Sequence, residues 1–315
     1  MKAIGPDTAP TQVLGRKKFI PQPQSILSNF LKPAGAGKNA HCPRGGLSCK
    51  LCLMARFFDA HDHLHSYPGP AGIGEVLEQA FAAGVKAFLC NGVRPEDWKA
   101  VLDLAARHKG VVPSLGLHPW FADKARPDWL EVLETLLTRA PACVGEIGLD
   151  RAAAPDPARQ EHVFRAQLRL AKKLGRPVSV HCVKDWGRLE AVLKMERPPA
   201  FLLHAYGGPP EMVDGLARLG AYFSFSGEIM DPRREKMRRS LRAAPPERLL
   251  FETDFPGDSS GPPAPAPRFF RKGRLEDLAE VVLAASQALG QSQESLGALS
   301  WRNAKIFLGK FFPVK

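Results

Sequence analysis

From residue 55 onward, short apolar runs rich in branched residues alternate with longer stretches whose apolar positions recur at helical spacing. The short runs are Arg56–Ala60, Val85–Asn91, Val111–Gly116, Cys143–Ile147, Val178–His181, Phe201–His204, Tyr222–Phe225 and Leu249–Thr253. Between them lie amphipathic stretches at Gly74–Ala83, Asp97–His108, Trp129–Arg139 and Gln160–Leu174, then Glu211–Leu219 and Glu235–Arg242, and Leu275–Leu289 closes the pattern. Eight strands, each followed by a helix, predict an α/β chain folded as a (β/α)8 TIM barrel, and the body of about 260 residues suits that fold's usual size of about 250. The competing doubly wound sheet calls for a glycine-rich dinucleotide turn after the first strand, which this chain does not show.

Residues 1–53 follow no such alternation. They are rich in Pro, Gly and Lys, with one short apolar patch at Ser25–Leu31, and read as a largely flexible N-terminal extension ahead of a hydrolase-sized barrel domain at 54–315. Within the extension stand His41, Cys42, Cys49 and Cys52. A CxxC with a further Cys and a His nearby suits zinc or an iron–sulfur cluster, but the four are crowded together and no second CxxC follows, so a metal-free reading stays open. Met54 directly precedes the first apolar run, which also fits an upstream extension without function.

Charge sharpens that division. The net charge is +12, and residues 1–53 hold eight basic residues against the single acid Asp7. A basic surface favours polyanions such as nucleic acid, but the barrel portion is only mildly basic, so charge adds little to the choice of partner. There is no apolar run of membrane-spanning length and no signal-peptide pattern, so a cytoplasmic location without membrane contact is expected. The six cysteines form no disulfide framework, and no obligate protein partner is evident.

The chemistry stands at the strand ends, which converge on one mouth in a barrel. The first run ends in Asp59-Ala60-His61-Asp62-His63, where alternation puts both imidazoles on one face. Others end in Gly116-Leu117-His118-Pro119, Gly145-Glu146-Ile147-Gly148-Leu149-Asp150, His181-Cys182, His204-Ala205-Tyr206-Gly207-Gly208 and Glu252-Thr253-Asp254-Phe255-Pro256. One such histidine is ordinarily a hydrogen-bonded structural residue; this many at one end of different strands point to a metal centre. His61, His63 and Asp254 suit one divalent ion and His181 with His204 a second, with Glu146 bridging them, the arrangement of two-metal hydrolysis. Asp254 is then also placed to accept a proton from the attacking water, which makes Asp254 and Glu146 the candidate catalytic pair.

These motifs, with Asn303-Ala304-Lys305-Ile306-Phe307 near the end, resemble the TatD family of metal-dependent deoxyribonucleases over about residues 55–310. The resemblance implies an amidohydrolase-type barrel that cleaves DNA phosphodiesters, exonucleolytically at single-stranded or frayed ends, with the ligands just assigned. It also implies that His118 faces the scissile phosphate. Departures fall on the substrate side: Cys182-Val183-Lys184 where the family carries an Arg, His204-Ala205-Tyr206 for His-Cys-Phe, and a Pro-rich run at 261–267 for Asn-Glu-Pro.

Those departures bear on the substrate. Arg268, Arg271, Lys272 and Arg274 interleave with Phe269 and Phe270, a pattern suited to phosphate pairing and base stacking on a single strand, or to plain docking of the loop. Tyr206, beside a candidate ligand, is a further stacking candidate. Trp98, Trp120, Trp129, Trp186 and Trp301 read as packing residues. The leading expectation is a deoxyribonuclease using two divalent ions, with magnesium, manganese and zinc all open. The alternatives are a metal-dependent hydrolase of a small amide, ester or phosphoester, and a nucleic-acid-binding protein acting through residues 1–53.

Overall fold

The computed structural model describes residues 56–67, 72–256 and 274–313. The extension and its Cys–His group lie outside them, as does the aromatic–basic run 268–272. Eight parallel strands close into one barrel in chain order: β1 (Phe57–Asp62), β2 (Val85–Asn91), β3 (Val111–Leu115), β4 (Cys143–Asp150), β5 (Val178–Val183), β6 (Phe201–Leu203), β7 (Ala221–Phe225) and β8 (Leu249–Phe251). The helices are α1 (Ile73–Ala82), α2 (Pro95–Arg107), α3 (Trp129–Arg139), α4 (Pro157–Leu174), α5 (Trp186–Glu196), α6 (Val213–Arg218), α7 (Glu235–Ala243), α8 (Leu278–Leu289) and α9 (Gln293–Leu308). The expected TIM barrel is therefore the observed fold.

Local chemistry explains the boundaries. Helix α4 starts at Pro157, whose fixed φ suits a first turn, and Asp156 caps it by accepting the Arg159 N–H. It stops at Gly175, held at φ 61°, where a side chain is disfavoured. The expected helix at Glu211–Leu219 is shorter, because Pro210–Met212 forms a tight 3-10 turn first. The pattern also does not close at Leu289. Ser292 accepts the Ser295 N–H and opens α9, which carries the Asn303–Phe307 motif.

Two apolar layers hold the barrel. Residues such as Leu77, Phe88, Val101, Phe164 and Leu189 pack between strands and helices. A second cluster fills the barrel interior with Phe58, Leu89, Val112, Leu202, Tyr222 and Leu250. It is stoppered from below by Phe307, Leu308, Phe311 and Phe312, on α9 and just after it. Truncating one of these buried phenylalanines to Ala removes about 3–5 kcal/mol. With the lower half filled by carbon, polar side chains are left to the upper mouth.

Two strands break regular register just where they reach that mouth. Between Asp59 and Asp62, β1 takes three steps while β2 takes two, from Phe88 to Cys90. Between Val144 and Ile147, β4 does the same against Val178 and Val180 of β5. Each extra residue shifts the alternation of inward and outward side chains. Phe58 and Ala60 fill the interior below, and the shift lets His61 face inward as well. In the same way Glu146 is turned into the barrel. Among the described residues no helix is long and apolar enough to cross a membrane.

Candidate metal centre

The rim that carries the site is tied together by backbone and by one buried acid. Asp59 accepts the Thr253 N–H at 3.0 Å and the Thr253 hydroxyl, locking the end of β8 to β1. Burial pushes its carboxyl up to about 7. The Asp254 N–H then donates to His61 O at 3.0 Å, and the His63 N–H to Phe255 O at 2.6 Å. These bonds set Asp254 opposite the two histidines. On the other side, β4 and β5 meet at Gly148, whose φ is 152° and where a Cβ would stand 1.9 Å from His181 O. Only glycine lets the two strands approach so closely beside the ligand.

Glu146 stands at the centre, nearly sealed from solvent. Its Oε2 lies 3.3 Å from His61 Nε2 and 3.4 Å from His63 Nε2. Its Oε1 lies 2.8 Å from His204 Nε2, 2.9 Å from His181 Nδ1 and 3.3 Å from His118 Nε2. Asp254 Oδ1 completes the first side, 3.6 Å from His63 Nε2 and 4.0 Å from His61 Nε2. Burial alone would raise the Glu146 pKa, but the surrounding histidines, His204 first, hold it well below the usual range. Burial presses His61 and His118 down to about 4, so both favour the neutral imidazole that a metal requires.

The second ring nitrogens show what these groups are waiting for. His63 Nδ1 lies 2.8 Å from Asn91 O, a pure acceptor, so Nδ1 donates and Nε2 is the nitrogen that in the neutral ring has the lone pair for a metal. That Nε2 faces the carboxylate oxygens of Glu146 and Asp254. His181 Nε2 meets Asp150 Oδ2 at 3.2 Å and His204 Nδ1 meets Glu252 Oε1 at 3.5 Å, which likewise turns their free nitrogens toward Glu146 Oε1 and each other, 3.2 Å apart. Burial opposes charge on His181 and His204, but the Asp150, Glu146 and Glu252 carboxylates outweigh it and raise the pKa of both rings, so a cation binding here would take the place of their protons. The donor set, imidazole nitrogens and carboxylate oxygens, fits divalent ions of the zinc or manganese kind. Three groups converge closely enough to hold an ion: His61, His63 and Asp254; His61, Glu146 and His204; and His118, Glu146 and His181.

The structure thus brings together His61, His63, Glu146, His181, His204 and Asp254, six residues from five strands or the turns just after them. His63 lies beyond the end of β1 rather than on it, and its ring meets that of His61 edge to face at 5.0 Å. His118 is also drawn in: it touches Glu146 and accepts the Trp120 N–H, and so is placed among the ligating groups as well as beside a substrate.

Two expectations are corrected. Tyr206 is no stacking platform: it is fully buried, its ring packs against Trp186 and Phe223, and its hydroxyl donates to Pro209 O at 2.8 Å. Trp120 is not merely a packing residue, because Nε1 donates to Asp150 Oδ2 at 2.6 Å and the ring lies edge-on to His118. Arg274 is occupied by Glu276 and Asp277 at the start of the turn before α8. Sequence reasoning passed over Asp150, Glu252 and Asn91 as partners of the ligating histidines. Asp150 and Glu252 carried a signal, since each is an acid at the end of a strand motif.

Comparison with known proteins agrees with this geometry. Residues 58–309 match the model of the family described as TatD related DNase. The uncharacterised metal-dependent hydrolase YjjV of Escherichia coli K12 is 32% identical over 209 residues, covering 65% of this chain and 81% of YjjV. The 3′-5′ ssDNA/RNA exonuclease TatD of Cronobacter sakazakii is 31% identical over 245 residues, 76% of this chain and 93% of that protein. The crystal structure of YjjV superposes with a TM-score of 0.73 at 29% identity, covering 82% of this chain and 98% of that one. The chain belongs to the TatD family of metal-dependent hydrolases.

Proposed function

We propose that the chain is a nuclease that removes nucleotides from single-stranded ends of DNA, using water activated between two divalent ions. The observation that carries this reading is the posture of Glu146, whose two oxygens face two separate sets of imidazoles within 3.4 Å. His61, His63 and Asp254 would hold one ion and His181 with His204 the other, with Glu146 shared. Such ions supply a deprotonated water near neutral pH and neutralise charge on the phosphoryl group. Asp254 takes the water's proton on its carboxylate. Its place deep in the mouth pushes its carboxyl up to about 7, while 40% of the side chain still meets solvent. A proton accepted there can therefore leave to bulk water. Asp254→Asn with metal content intact and full activity would contradict this role.

Nucleic acid as substrate is supported by the names of the relatives, 3′-5′ ssDNA/RNA exonucleases, which also suggest attack from the 3′ end and tolerance of RNA. It is supported further by two cations on the rim. Arg151 follows β4 and Lys184 follows β5, and the Arg151 N–H donates to Val183 O at 2.9 Å, which keeps the two loops side by side. Arg94, Arg126, Arg188 and Arg234 are each paired with a carboxylate, whereas among the described residues Arg151 and Lys184 are not. Unpaired cations beside the centre suit the phosphates that flank a scissile bond. Competing substrates test this reading. An end-labelled single-stranded oligonucleotide is expected to exceed bis(p-nitrophenyl) phosphate and p-nitrophenyl acetate in kcat/KM by at least about 100-fold, the discrimination that extra phosphate contacts supply. Preference for the small ester would move the reading to a small-molecule hydrolase.

A further inference from the structure

The histidines on the two sides of Glu146 are backed by different chemistry. On the Oε1 side His181 and His204 are backed by buried carboxylates, while the third histidine there, His118, has only the Trp120 backbone N–H at its Nδ1. His181 Nε2 meets Asp150 Oδ2, and Asp150 is itself fixed by Trp120 Nε1 at 2.6 Å and by the Ala152 N–H at 2.8 Å. His204 Nδ1 faces Glu252 Oε1, and Ser224 donates its hydroxyl to the other oxygen of that carboxylate. Glu252 is fully buried, and its Oε1 and His204 Nδ1 stand at ion-pair distance, 3.5 Å apart, with neither atom in a hydrogen bond. On the Oε2 side the backing is neutral. His63 Nδ1 has the Asn91 carbonyl, and His61 Nδ1 has Ser179 Oγ at 3.1 Å and Asn91 Nδ2 at 3.2 Å.

A carboxylate behind an imidazole raises its basicity and fixes its tautomer, and so tightens the metal bond it makes. In a buried setting that effect is screened little. Asp254 adds a direct carboxylate to the Oε2 side, but at the solvent-open mouth, where its attraction is damped by water. We propose, resting on the two-ion reading above, that the two positions are unequal. The Oε1 side, with His181 and His204, is the tight, resident position, set by Glu252 and Asp150 as positioning residues. The Oε2 side, with His61, His63 and Asp254, is the exchangeable one.

Metal binding tests this without any assay of turnover. Metal-free protein is titrated with Mn2+ by calorimetry, with the free ion followed by electron paramagnetic resonance, for wild type, Glu252→Gln, Asp150→Asn and Asp254→Asn. The expected wild-type result is two separable steps. Glu252→Gln and Asp150→Asn should each weaken the tighter step by about 10–100-fold, the range found for such partners. Asp254→Asn should weaken the looser step alone, a selectivity that general destabilisation does not produce. Ser224→Ala, which only loosens Glu252, should weaken the tighter step by a smaller factor. It carries the test if Glu252→Gln does not fold, as judged by circular dichroism in chelator. Two equal steps, or a tighter step that responds to Asp254→Asn and not to Glu252→Gln or Asp150→Asn, would overturn the inference and leave the two-ion reading standing. Binding of a single ion would overturn both.

Discussion

Trp120 donates its indole N–H to Asp150 Oδ2 at 2.6 Å, and that same oxygen meets His181 Nε2 at 3.2 Å. The indole therefore fixes the carboxylate that orients a candidate ligand, three groups deep from the mouth. Trp120→Phe keeps the ring packed against His118 and removes only the donor. We expect kcat/KM to fall by about tenfold, in line with the loss of such supporting bonds, with little change in thermal stability. Steady-state kinetics beside a melting curve checks this.

Tyr206 gives the opposite kind of expectation. Its ring lies in the core and its hydroxyl is spent on Pro209 O, so it contributes stability rather than substrate contact. Tyr206→Phe should cost about 1 kcal/mol, a single hydrogen bond. Tyr206→Leu should cost more, about 2–4 kcal/mol, by leaving part of an aromatic pocket empty. Anisotropy titration with a labelled single strand should show the same affinity in both variants as in wild type.

Asp59 makes the metal-free barrel sensitive to pH. Burial raises its carboxyl from 3.8 to about 7. Between those values the unfolded chain gives up this proton while the folded chain keeps it. The folded state binds more protons there, so the contribution of Asp59 to stability is full below about pH 4 and is lost as pH rises toward 7. In chelator, Asp59→Asn should therefore lose less stability than wild type between pH 4 and 7 in urea titrations. Asn retains an acceptor for the Thr253 N–H.

The unpaired rim cations predict a change in salt dependence. For Arg151→Ala and Lys184→Ala, binding of a single strand should weaken, and the plot of log affinity against log salt should become shallower by about 0.7 for each phosphate contact removed. An unchanged slope would remove both residues from the substrate path.

How much of this was legible from residues alone follows physical lines. Strand and helix periods are local, so all eight strands were placed within a few residues, and the candidate ligands that the structure brings together could be picked out because they sit at the ends of those strands. Tyr206 was misread because adjacency to His204 in sequence says nothing about which way a ring turns at a strand end; Ala205, at φ 42°, redirects the chain between them. Glu252 and Asp150 were passed over because pairing an acid with a histidine from another strand depends on register. Register here includes two bulges that no period in the sequence announces. Helix α9 was missed because its capping Ser292 follows the expected end of the pattern so closely.

The central claim is that Glu146 joins two metal positions that together cleave a phosphodiester, and cleavage of an end-labelled single-stranded DNA oligomer tests it most directly. Wild type and Glu146→Ala are compared with magnesium, manganese or zinc, and with chelator. The account predicts a ladder of shortening products in wild type that needs metal and disappears in chelator and in Glu146→Ala, a loss of at least about 100-fold for removing a shared metal-bound carboxylate. Equal ladders from Glu146→Ala and wild type, or no cleavage by wild type with any of the three ions, would contradict it.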